Sequence, residues 1–295
     1  MRALRTAGLV GSLRALHAVW ETRLVSPAGE DTSFYDASYG RFSVEPYASI
    51  RREAFGEDIG QNSWLTVEEL GRFGRWLGLD SSTRLLEVGS GSGGPALSLA
   101  ASTGCRVTGV DIHEAGVAAA NAAARDRGLA ERARFVCADA RERLPFDDES
   151  FDALICIDAI DHIYERAEML REWRRLIVSG GQVLFTNPIT VTGLLRREEM
   201  IVRSGGMGAF VFTPPGVDER LVHEAGFVDI RIEDVSEAPA RVASAWHAAR
   251  ERRSRELGRL EGTDQNSATQ RFLSTVTILA RERRLSRYAY IARRS

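Results

Sequence analysis

Hydrophobic and polar positions divide the chain near residue 80. Residues 1–80 read as helices and loops with no clear strand; from Arg84 onward apolar runs alternate with stretches of helical spacing. RLLEV (84–88), CRVTGVD (105–111), ARFVCAD (133–139), FDALICID (151–158) and GQVLFTN (181–187) are predicted strands. GPALSLAAST (94–103) is a predicted helix with Pro95 in its first turn, where a missing N–H costs little. EAGVAAANAAARDRG (114–128) predicts a helix ended by Gly128, and ERAEMLREWRRLI (165–177) another. Alternation of this kind specifies an α/β fold, a mostly parallel sheet with helices on both faces. Residues 190–225 then form an insert, with RSGGMG (203–208) and a TPP turn leading into a helix over GVDERLVHEAG (216–226). FVDIRIEDV (227–235) reads as a late strand. Two arginine-rich amphipathic helices follow, over about 237–260 and 265–284, and SRYAYIARR (286–294) is the expected last strand.

The stretch LLEVGSGSGGPALSLA (85–100) carries the first candidate chemistry. Its glycines lie between a predicted strand and a predicted helix, where bare backbone can approach a ligand. Read as Gly89-x-Gly91-x-x-Gly94 they also fit the dinucleotide fingerprint, and a plain tight turn remains open. Three acids change the picture. Glu87 ends the first strand, where a carboxylate repels a pyrophosphate and favours an ammonium or sulfonium cation. Asp111 ends the second strand, placed to accept both hydroxyls of a ribose, and Asp139 follows the third, suited to the exocyclic amine of adenine. Open α/β sheets bind ligands at the carboxyl ends of their strands, so three such acids in succession outweigh a reading of loop-solvating charges.

Composition narrows the field. The chain has 295 residues, 44% of them hydrophobic, which suits one large core with an added cap: residues 1–80 as a helical N-terminal cap or lid and 81–295 as the core. A formal net charge of -2 provides no basic field for nucleic acid or anionic lipid. All 39 Lys+Arg positions are arginine, which excludes a Schiff-base cofactor on the chain and a lysine-type phosphate loop. Cys105, Cys137 and Cys156 stand singly beside apolar runs and read as small buried hydrophobes in a reducing, cytoplasmic compartment. The five histidines show no metal-ligand spacing, so no metal is expected. The opening residues resemble a signal peptide only loosely, because Arg14 interrupts the apolar face, and no stretch is apolar enough to span a bilayer.

In order, EVGSGSGG, GVDIHE, CADARE, LPFDDESFDALICIDAIDHI and SGGQVLFTN resemble the motifs of the class I S-adenosylmethionine-dependent methyltransferases from roughly Arg84 to Asn187. The resemblance implies a Rossmann-like seven-stranded sheet whose last strand runs antiparallel, with S-adenosyl-L-methionine as cofactor. It implies cofactor contacts from Glu87, Gly89, Ser90, Gly91, Gly93, Asp111, Ile112, Asp139, Ala140 and Asp158. FGEDIGQNSW (55–64) is similar to a piece of the lid in small-molecule enzymes of this family, which implies Gln61, Ser63 and Trp64 at the methionine end. DAIDH (158–162) resembles the Asp-Ala-x-x-His of phosphoethanolamine and sarcosine/dimethylglycine methyltransferases and implies a catalytic pair, Asp158 and His162. An imidazole titrating near neutrality can take the acceptor's proton and an aspartate can orient the ring; a helix-capping Asp158 with a packed His162 is the plainer alternative.

The aromatic residues Phe34, Tyr35, Tyr39, Phe42 and Tyr47 read either as a seam for the cap or as faces for a cation. Residues 190–225 and 237–284 are expected to roof the acceptor pocket, with Met200, Met207, Phe210, Phe212 and Trp246 as candidate lining or core. Arginine runs such as ARERRSRELGR (249–259) read as solvated helix faces. The expectation is a bacterial-type monomer or homodimer that methylates a nitrogen or oxygen of a small metabolite. A nicotinamide-dependent oxidoreductase and a non-catalytic ligand-binding relative are the alternatives.

Overall fold

The computed structural model describes residues 44–204 and 210–295; Phe34, Tyr35, Tyr39, Phe42 and Met207 lie outside them. Two helices come first, α1 (Tyr47–Phe55) and α2 (Val67–Trp76). The alternating portion follows: β1 (Arg84–Val88), α3 (Gly94–Thr103), β2 (Arg106–Asp111), α4 (Glu114–Asp126), β3 (Ala133–Cys137), β4 (Phe151–Ile157), α5 (Arg166–Leu176) and β5 (Ile177–Val191). The chain ends with α6 (Arg197–Ser204), α7 (Val217–Glu224), β6 (Phe227–Asp234), α8 (Glu237–Glu251), α9 (Ser254–Leu260), α10 (Thr263–Arg281) and β7 (Leu285–Arg294).

These strands make one seven-stranded sheet in the order β3-β2-β1-β4-β5-β7-β6. Strands β1 to β5 pair in parallel, and β7 runs antiparallel to both neighbours, as expected for SRYAYIARR. Chain order reverses between β1 and β4, so the connections leaving these two strands diverge and open a crevice at their carboxyl ends. One face buries Leu85, Val107, Phe135 and Ile155 against Phe73, Leu97 and Ala120. The other buries Leu86, Val110, Leu154 and Phe185 against Leu170, Trp173 and Val222. At about 1.5–3 kcal/mol for each large apolar side chain buried, these two layers hold the tips of β1 to β4 in fixed register.

Local chemistry sets the ends of the elements nearest the crevice. Thr66 caps α2, its hydroxyl accepting the Glu69 N–H at 3.3 Å. Glu69 stands where a capping-box partner would reach back, but its carboxylate is drawn to Arg287 instead. Helix α3 begins at Gly94 with Pro95 in its first turn, as the sequence indicates.

Several expectations are corrected. Strand β5 is longer than GQVLFTN. It starts at Ile177, passes through Gly180 at φ +80°, and continues past Pro188, where its pairing with β7 lapses between Asn187 and Thr190 and then resumes. The insert contains a helix, α6, that the sequence reading lacked. The predicted helix over 237–260 breaks at Arg252–Arg253 into α8 and α9. Cys105 and Cys156 are buried, but Cys137 is exposed, because it closes the short β3 near the sheet edge. In the arginine run, Arg250 is not solvated; it is buried and bound to Glu261 and Asn266.

Candidate active site

The glycine turn after β1 is shaped by what presses on it. Its Gly89 and Ser90 N–H groups both donate to the Val110 carbonyl of β2, at 2.9 and 3.0 Å. Gly89 sits at φ +73°, and a Cβ there would lie 2.5 Å from the Ala159 Cβ, so the turn tolerates no side chain. A Cβ on Gly94 would lie 2.4 Å from the Ile59 carbonyl oxygen, because the 57–61 loop packs directly on the start of α3. Gly93 caps that helix in the left-handed region. Glu87 points beneath this turn, 2% exposed, with the Ala96 N–H on its carboxylate and Oε2 without a partner. Burial pushes its carboxyl up to about 8, and the charge of Asp111 adds to the effect. The Ser90 hydroxyl is likewise buried and unpartnered.

Asp111 closes β2. Its Oδ2 accepts the Gly91 N–H at 2.7 Å, and its Oδ1 accepts the His113 N–H at 2.9 Å and faces His113 Nδ1 at 2.8 Å. The adjoining Ile112 is a large apolar side chain left 41% exposed. Asp139 and Ala140, just past β3, are half-buried. Asp139 is gripped by Arg141, with Nη2 at 2.8 Å; burial pushes its carboxyl up, but the Arg141 hydrogen bonds and charge outweigh burial and hold it below its ordinary value. The structure thus brings Glu87, Asp111 and Asp139 to the carboxyl ends of three neighbouring strands.

The expected lid segment joins a fourth strand. Gln61 is fully buried and works within its own loop: its side-chain oxygen accepts the Ile59 N–H at 2.9 Å and its amide donates to the Glu57 and Leu65 carbonyls. The Ser63 hydroxyl accepts the Leu65 N–H, and the Trp64 ring stacks on Phe272 at 6.3 Å. The Trp64 N–H donates to Asp158 Oδ2 at 2.9 Å. Asp158 Oδ1 takes the Thr186 hydroxyl at 2.6 Å and Arg287 Nε at 2.7 Å. Asp158 is therefore not hydrogen-bonded to His162; its oxygens are spent on Trp64, Thr186 and Arg287. It also adopts φ +51°, a left-handed conformation that costs a non-glycine residue energy, and the turn it makes throws Ala159 against Gly89.

Arg287 makes this possible. The side chain is completely buried on β7, an interior strand between β5 and β6, and bridges Asp158 to Glu69, 2.7 Å away. Burial works against its charge, but Asp158 and Glu69 together keep it firmly protonated. Burial raises the Glu69 carboxyl despite Arg287. The sequence reading missed Arg287, although an arginine inside a strand buried on both faces was itself a signal.

His162 ends a single 3₁₀ turn (Ile160–His162), half-buried, with its ring 4.7 Å from that of Phe210. The buried Arg203 guanidinium lies 5.2 Å from the Phe210 ring and 5.1 Å from Phe272. Of the other expected lining residues, Trp246 packs edge-on to Phe55 and joins α8 to α1 and α10, Phe212 packs near Ile189 and Leu279, and Met200 is exposed.

Comparisons with known proteins agree with this geometry. A family model described as a methyltransferase domain matches residues 86–185. The 27-O-demethylrifamycin SV methyltransferase of Amycolatopsis mediterranei is 30% identical over 219 residues, 70% of this chain and 79% of that one. The sarcosine/dimethylglycine N-methyltransferase of Halorhodospira halochloris is 30% identical over 221 residues, 74% of each. Among solved structures, a Haemonchus contortus phosphoethanolamine N-methyltransferase superimposes with a TM-score of 0.73 at 19% identity, covering 92% of this chain and 61% of that one. The cyclopropane synthase MmaA2 of Mycobacterium tuberculosis does so with 0.73 at 16%, covering 91% and 100%.

Proposed function

Because this chain belongs to the S-adenosylmethionine-dependent methyltransferases, we propose a division of its site into a cofactor half on β1 to β3 and an acceptor half on β4. The chain is an enzyme that moves the methyl group of S-adenosylmethionine to a nitrogen or oxygen of a small metabolite. When bound, the cofactor supplies an electrophilic methyl on a cationic sulfur. The observation that carries the division is Glu87: a buried acid with an unsatisfied oxygen under a side-chain-free turn gains a partner when a positively charged ligand draws off its proton, which a phosphate would not do.

The backbone of Gly89, Ser90, Gly91 and Gly93 lets a ligand approach, and Glu87 answers positive charge at its amino-acid end. Asp111 receives the ribose hydroxyls, Ile112 covers one face of the adenine, and Asp139 and Ala140 border its edge. The loop bearing Gln61, Ser63 and Trp64 closes over the methionine end, with Asp158 as its anchor. His162 faces the acceptor and takes the proton that the nucleophile releases. Its support is its place on the turn after β4 and the ring of Phe210 beside it. The names of the relatives support an acceptor oxygen or nitrogen alike.

A reducing cytoplasmic setting is supported by three unpaired cysteines, and a monomer or homodimer by a sheet whose seven strands come from one chain. The net charge of -2 weighs against nucleic acid as a partner. No helix among the described residues is long and apolar enough to cross a membrane. Calorimetric titration tests the reading: S-adenosylmethionine or S-adenosylhomocysteine gives binding heat and NAD gives none. Heat with NAD alone would overturn it.

A further inference from the structure

Glu87 has a counterpart on the acceptor side. Asp161, in the middle of the turn Ile160–His162, is 1% exposed, its Oδ1 is sealed from solvent, and no donor among the described residues bonds its carboxylate. Its backbone, by contrast, is used: the Asp161 carbonyl accepts the Val211 N–H at 2.7 Å, which ties the returning insert to the turn. The side chain adds nothing to that tie. A buried acid without a donor costs free energy unless something supplies one.

The groups around it do not fill that role. His162 lies next to it on the turn, Asp158 approaches from the tip of β4, Arg203 from α6 and Arg166 from α5. Arg166 is committed to Asp218 at 2.7 Å and to the Val211 carbonyl, and Arg203 spreads over the Phe210 and Phe272 rings. Burial dominates and pushes the Asp161 carboxyl up; His162, Arg203 and Arg166 pull it down and Asp158 reinforces the rise.

We propose that Asp161 is an acceptor-binding residue, which receives a hydrogen bond from the O–H or N–H of the nucleophile while His162 stands beside it. This rests on the acceptor half assigned above. It names the acceptor class: oxygen or nitrogen nucleophiles that carry a hydrogen, presented along the ring line of His162, Phe210 and Phe272. Analogues in which that hydrogen is replaced by carbon leave the acid unpaired on binding and are rejected, the regime in which a buried polar group discriminates most strongly.

The test uses Asp161→Asn and Asp161→Leu in the full chain. Both variants are expected to bind S-adenosylhomocysteine within about twofold of wild type and to melt no lower than wild type when ligand-free, since a buried acid without a donor is gone. Methyl transfer from labelled S-adenosylmethionine to a panel of phenols, alcohols and secondary amines should fall at least roughly tenfold in the Leu variant, through KM as well as kcat, and less in the Asn variant, which keeps an acceptor oxygen. The methyl ethers of the accepted phenols and alcohols should not compete. A lower melting temperature in both variants would overturn the proposal, because the acid would then brace the fold, for instance through a water shared with the unpartnered Arg166 Nε. Undiminished transfer would overturn it equally. If no panel member is methylated, the melting temperatures decide alone; a wild type that binds no S-adenosylhomocysteine refutes the cofactor assignment itself.

Discussion

Glu87 is the residue whose surroundings make least sense without a cation. Its folded value of about 8 stands above the ordinary 4.5, so the neutral form stabilises the ligand-free fold below about 4.5. That contribution is lost as pH rises through about 8. Relative to Glu87→Gln, the ligand-free wild type should lose on the order of a few kcal/mol between those limits in chemical denaturation, and parallel profiles would contradict the burial argument. Asp111 differs: the Gly91 and His113 N–H groups bond its two oxygens and the His113 ring lies beside it, so its carboxyl is already oriented by the fold. Asp111→Ala should weaken S-adenosylhomocysteine binding by about 1.5–3 kcal/mol, the range for a hydrogen bond to a charged group, and an unchanged dissociation constant would misplace the ribose. His162→Ala should depress turnover while sparing cofactor affinity; full turnover at neutral pH would remove the base assignment. Residues of this kind were legible in the sequence because each sits at the end of an apolar run. Asp161 occupies an x position of the Asp-Ala-x-x-His pattern, where spacing assigns it no role, and burial without a donor is a property of the folded chain alone.

The β4 turn, the lid loop and β7 behave as one unit. Asp158 ties the Trp64 backbone, Thr186 and Arg287 together, and Arg287 extends the tie to α2 through Glu69. Spacing along the chain showed the Asp-Ala-x-x-His pattern but not which partner the aspartate takes, because the competitor arrives from 129 residues away. A guanidinium at bonding distance defeats an imidazole that must reach back along a turn. Arg287→Met removes the guanidinium shared by two buried carboxylates, leaving Glu69 only the longer pair with Arg72 and Asp158 only neutral donors, and should cost about 3–5 kcal/mol of stability by denaturant titration. A loss below about 1 kcal/mol would show the pair to be ornamental rather than a brace. The helical insert illustrates the opposite limit of sequence reading. Its α6 was missed and the α8–α9 break went unseen because packing on α10 and the ion pairs of Glu53 with Arg252 and Arg253, rather than local signals, fix those boundaries.

For the molecule as a whole, strand order, the antiparallel last strand and the crevice at β1 and β4 follow from alternation and topology rules, so the placement of Glu87, Asp111 and Asp139 at neighbouring strand ends was readable in advance. The arrangement of the helices and loops around the β4 turn was not, since those segments carry no periodic constraint. The central claim is that a buried, protonated Glu87 gives up its proton when a positively charged cofactor end arrives. Calorimetry of S-adenosylmethionine binding at pH 7, repeated in buffers of different ionisation enthalpy, measures that proton directly. The account predicts release of roughly one proton per site in the wild type and markedly less in Glu87→Gln. Equal release in both proteins, or none in the wild type, would contradict it.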